Sequence, residues 1–142
     1  MMSGIEQRIR EIAEAEFQEF SFVLDDAMGV DVAVERVELP AIVCYLVEDG
    51  TLSFKNGRVK DSEHTILVFI NAVERDADGM DNVEVYQDMK GVAEQFITKV
   101  NECGYFEPVE TVQYESLYEM MSANVSGVMC HVMLKELKGR CV

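Results

Sequence analysis

Two periods of apolar residues divide the chain. From the N-terminus, Ile5, Ile9, Ile12, Phe20, Val23 and Ala27 fall on one helical stripe. Ser3, with Glu6 three residues on, reads as a capping box for that helix, and Gly29 reads as its stop. The alternation from Phe20 to Leu24 also permits a break, with the helix ending near residue 18. Residues 30–38, VDVAVERVE, are ambiguous and read as a loop or a short strand.

The pattern then turns to β. In LPAIVCYLVEDG, residues 39–50, Pro40 opens an apolar run and the pair Asp49-Gly50 closes it as a turn. Asn56-Gly57 is a second turn pair, so tight hairpin connections are expected. HTILVFINAV, residues 64–73, is apolar almost throughout and reads as a central strand covered on both faces.

The polar stretch 74–82, ERDADGMDN, clusters Asp76, Asp78 and Asp81 around Gly79. It does not combine a sixth-position glycine with the twelfth-position glutamate of a calcium-binding EF-hand loop, and reads as the lead into a helix cap. Asp81 and Glu84 form the expected capping box. Val85, Met89, Val92, Ala93, Phe96 and Val100 then recur at helical spacing, and Gly104 terminates the helix. Two long strands, 106–120 and 124–137, close the chain and join near Ser122.

This order predicts one α+β domain over residues 1–142. Its sheet is mainly antiparallel or mixed, with four to five strands and two helices packed on one face.

The stretch SGVMCHVMLK, residues 126–135, is the one place where the pattern raises a chemical question. Met129, Cys130, His131 and Met133 are all ligands for soft metals. In a strand, however, Val128, Cys130, Val132 and Leu134 share one face, while Met129, His131, Met133 and Lys135 share the other. The expected core therefore joins Cys130, Val132 and Leu134 to Val85, Met89, Val92 and Phe96. The other face, with Met129, His131, Met133 and Lys135, is expected to be an oligomer interface, because methionine adapts to irregular partner surfaces. Its complement would lie on the first helix or the 49–58 hairpin. No metal, cofactor or catalytic residue is assigned. His64 and His131 could act as bases and Cys44, Cys103 or Cys130 as nucleophiles, but no local signature brings them together.

Charge narrows the classes further. Asp and Glu outnumber Lys and Arg 27 to 12, a net −15, which argues against nucleic-acid binding through phosphate contacts. No apolar run approaches the ~20 residues of a membrane span. MMSGIEQRIR carries charge where a signal peptide needs an apolar core, so a cytoplasmic protein is expected. The four cysteines, 44, 103, 130 and 141, form no C-x-x-C pair and read as reduced thiols.

Taken in order, the N-terminal amphipathic helix, the LPAIVCYL strand, the HTILVFINAV strand, the helix around MKGVAEQFITKVNE and the closing NVSGVMCHVMLKEL resemble a family. It is the tail-terminator and tail-completion (head–tail joining) proteins of long-tailed bacteriophages and prophages, and the likeness runs from about residue 5 to 138. The resemblance implies a structural protein without an active site. It also implies a homo-oligomeric ring, commonly a hexamer, that meets tail-tube and head-completion proteins, assembled in the cytoplasm and carried in the virion tail. The competing readings are an acidic DNA mimic and an adaptor or immunity-type binding module.

Overall fold

The computed structural model describes residues 4–74, 78–120 and 124–137. The N-terminal stripe forms helix α1 (Ile5–Glu16), which buries Ile5, Ile9, Ile12 and Ala13. Where the period changes, the helix ends: the Phe17 amide donates back to Ala13, and strand β1 (Ser21–Asp25) follows. Phe20 and Val23 therefore lie outside the helix, and the earlier of the two expected ends is the observed one. Ser3 lies outside the described residues, and Gly4 is the N-cap.

The segment expected to be a loop or short strand is largely helical. Asp26 accepts a hydrogen bond from the Gly29 amide at 2.8 Å and starts helix α2 (Ala27–Val34). Gly29 thus lies in the first turn of a helix rather than ending one. Helix α2 links β1 to the parallel strand β2 (Ala41–Tyr45), the one parallel pair among the described strands. A parallel pair needs such a crossover, which a reading based on antiparallel hairpins does not supply.

Strand β3 (Asp49–Lys55) and strand β4 (Arg58–Ala72) are joined by Asn56-Gly57, both with positive φ (54° and 74°). Those angles suit the tight turn that matches strand twist. Asp49-Gly50 is not a turn. Both residues lie in β3, opposite His64 and Glu63. Strands β2 and β3 follow one another along the same edge of β4, β2 on its second half and β3 on its first.

Helix α3 (Gly79–Glu102) begins one turn earlier than the Asp81/Glu84 pair implied. The capping box is Asp78 with Asp81, at 2.9 and 3.2 Å. The helix ends at Cys103, and Gly104 takes the left-handed conformation (φ 83°). Strand β5 (Gln113–Met120) starts later than residue 106, and strand β6 (Val125–Lys135) completes the sheet. The connection expected near Ser122 lies outside the described residues, as does Asp76.

The result is an α+β fold of six strands and three helices among the described residues, in the order β1-β2-β4-β6-β5, with β3 extending the β2 edge. The helices are not all on one face. Helices α1 and α3 cover one side, where Phe96 meets Phe69 and Phe17 at ring distances of 5.5 and 5.2 Å. Cys130, Val132, Leu134 and Met89 are buried in this cluster, and Val85 and Val92 pack half-buried against it. On the opposite side, Val30 and Val34 of α2 join Val23, Val43, Val68 and Ile70 in a second cluster. Leu67, Val68, Phe69 and Ile70 of β4 are consequently sealed on both sides. No helix is long and apolar enough to cross a membrane among the described residues.

Gly127 explains the small residue at the start of the last strand. A Cβ there would fall 1.9 Å from the Phe69 carbonyl oxygen, so only glycine lets β6 lie this close to β4.

Candidate functional site

Helix α2 covers only one end of its side of the sheet. At the other end, β3, β4, β6 and β5 present an open groove of about 870 Å³. Its floor holds four side chains contributed by four successive strands. Asp49 and His64 are direct register partners on β3 and β4. His131 comes from β6, diagonal to His64 across the pair, and Glu115 comes from β5.

These side chains form one lateral chain of hydrogen bonds. Asp49 Oδ1 lies 3.0 Å from His64 Nδ1, His64 Nε2 lies 3.0 Å from His131 Nδ1, and His131 Nε2 lies 3.3 Å from Glu115 Oε2. The imidazoles are nearly parallel, at 20° and 5.2 Å between centroids. Ionised carboxylates only accept, so the outer ring nitrogens must donate. The gap between the inner two nitrogens then has room for at most one hydrogen. Glu107, Glu110, Met133 and Lys135 line the rest of the groove.

Of the residues expected at an interface, the structure places His131, Met133 and Lys135 in this groove, with Met133 44% exposed. Met129 shares their face and packs half-buried against the second apolar cluster. The face is covered at the α2 end, so alternation alone does not make every outward residue accessible.

The two buried thiols are placed away from this chemistry. Cys44 is pushed up to about 12 by burial, reinforced by the charge of Glu6. Burial also pushes Cys130 up to about 11. A thiol that stays protonated is a weak nucleophile, and both behave as small core residues. Cys103 is half-buried with its thiol directed at the Val100 carbonyl, 3.0 Å away, and Cys141 lies outside the described residues. Among the described residues, no three His, Cys, Asp or Glu side chains converge as metal ligands.

A second feature lies on the other side of the same sheet. The β3–β4 ribbon exposes Leu52 (58%), Phe54 (71%) and Val59 (55%). Phe54 faces Val59 directly, so the three make one apolar patch. By strand alternation Lys55, Arg58 and Lys60 lie on the ribbon's opposite face, where Lys60 pairs with Glu107 at 3.1 Å. On the far edge of the sheet, Tyr114 and Tyr118 of β5 stand about half exposed.

The sequence reading did not find the histidine pair. His64 and His131 are 67 residues apart, and only the β4–β6 register brings them together. The usable signal was that both histidines of the chain lie in strand patterns. The chain matches no protein-family model, no curated protein and no solved structure.

Proposed function

We propose that the protein is a structural assembly subunit that joins copies of itself into a closed ring, of the tail-terminating or tail-completing kind its sequence resembles. The observation that carries this reading is the exposed apolar patch of Leu52, Phe54 and Val59 on the β3–β4 ribbon. A two-stranded ribbon is marginal alone, and an exposed apolar strand pair of this kind calls for a partner.

The partner is a second copy. The ribbon tip is a basic segment, KNGRVK, in a chain of net charge −15, so the surface of another copy is its electrostatic complement. A ring uses two different patches per subunit, one given and one received. The β5 edge with Tyr114 and Tyr118 suits the receiving role, because aromatic residues are enriched at interface centres. The acidic surplus suits a channel wall, where carboxylates repel passing DNA over roughly 8–10 Å. Tail-tube and head-completion proteins would meet the two rims.

Light scattering across a concentration series tests this reading. The expected result is a mass that rises above one chain, while a Leu52→Asp/Phe54→Asp variant stays monomeric with an unchanged melting temperature. A wild-type chain still monomeric at about 1 mM would overturn it, since that bounds self-association at about −4 kcal/mol.

A further inference from the structure

We propose that the gap between His64 and His131 is a binding site for a late first-row transition-metal ion, with Zn²⁺ as the simplest probe. Two ligands bonded to one ion at 2.0–2.1 Å and tetrahedral to right angles sit about 2.8–3.4 Å apart. His64 Nε2 and His131 Nδ1 are 3.0 Å apart. The spacing fits an ion as well as it fits a shared hydrogen.

The outer nitrogens strengthen the assignment. A metal-bound imidazole almost always donates its other N–H to a carboxylate or a carbonyl, which fixes the tautomer and aims the free lone pair at the ion. Both rings have such a partner, Asp49 on His64 Nδ1 and Glu115 on His131 Nε2. Each carboxylate holds a hydrogen on the outer nitrogen and leaves the inner one to bind.

The remaining donors set the metal class. Met133 is the register partner of His64 and lines the same groove, which makes its thioether the nearest soft candidate. Water completes the shell, because the groove is open. Imidazole with thioether suits zinc, copper and nickel, whereas magnesium and calcium require oxygen ligands. Asp49, Glu115 and Glu110 give the groove a negative field, with Glu107 paired to Lys60 at 3.1 Å and Lys135 opposing the rest, and this field draws in cations. With two protein nitrogens the site is open, unlike a closed structural zinc site. This assignment does not depend on ring formation.

The test is calorimetric titration of tag-free protein with Zn²⁺ and, separately, Mg²⁺. One Zn²⁺ should bind per chain, and Mg²⁺ should not bind at the groove. His64→Gln and His131→Gln should each weaken Zn²⁺ by at least about tenfold, and Asp49→Asn or Glu115→Gln by about 10–100-fold. Nitrogen NMR of the wild-type rings gives a readout that needs no variant to fold. Zn²⁺ should move His64 Nε2 and His131 Nδ1 together at one equivalent. Absence of saturable Zn²⁺ binding, wild-type affinity in both histidine variants, or ring signals that do not respond would each overturn the proposal.

Discussion

Strand β4 contains two environments within fifteen residues. Its second half, at Leu67–Ile70, is sealed by α1 and α3 on one side and by α2 with its apolar neighbours on the other. Its first half, at Arg58–His64, forms an exposed ribbon with β3 and the wall of a polar groove. One strand thus supplies both the most buried part of the molecule and the part most available to partners. Stability resides where helices cover the sheet, and binding chemistry collects where they do not.

The largest expected contrast compares two phenylalanines on the same side of the sheet. Phe96 is fully buried between Phe69 and Phe17, whereas Phe54 is 71% exposed on the ribbon. Phe96→Ala should cost about 3–5 kcal/mol in denaturant unfolding, from lost burial and the cavity left behind. Phe54→Ala should change the unfolding energy of the isolated chain by under about 0.5 kcal/mol. Similar losses at both sites would erase the division between covered and open halves.

Gly127→Ala tests the covered half at the backbone. The new Cβ would meet the Phe69 carbonyl at 1.9 Å, and neither strand can give way without disturbing the ladder it shares with the other. A loss of about 1–3 kcal/mol is expected, the usual range for forcing one extra carbon into a packed site. A neutral result by thermal melting would mean that β6 can lift from β4.

The covered half was the more legible from sequence, for a physical reason. Burial imposes a period, and the stripe Met89–Ala93–Phe96–Val100 and the alternation Val128–Cys130–Val132–Leu134 each record one face packed against apolar neighbours. The turn at Asn56-Gly57 was legible because its backbone angles demand those residues. Helix α2 was missed because Val30 and Val34 repeat over barely two turns, and Val, Asp and Glu suit a loop or strand equally well. Asp49-Gly50 misled because the glycine serves a close approach inside the strand instead of a turn: a Cβ at Gly50 would meet the Ser62 carbonyl oxygen at 2.6 Å. The groove escaped altogether. It depends on strand order and register, which bring Asp49, His64, His131 and Glu115 from four places in the chain, and no local pattern records that.

A last contrast separates the two halves by titration. Cys44 is completely buried, and burial raises its thiol from 9.0 to about 12, with Glu6 adding to the shift. The folded state then holds this proton more tightly than the unfolded chain does. The corresponding stability is fully present below pH 9 and is lost as pH rises from 9 towards about 12, because the unfolded thiol ionises first. The slope is at most about 1.4 kcal/mol per pH unit for one thiol, so roughly that amount is lost by pH 10. Cys130 adds a similar slope over a shorter span, from 9.0 to about 11. Denaturant unfolding between pH 8 and 10.5 should therefore show stability falling with pH. A Cys44→Ala/Cys130→Ala variant, less stable at every pH because of its cavities, should show a flatter line. Equal slopes in the two proteins would mean that both thiols reach water in the folded state, and that the covered half is less closed than its packing implies.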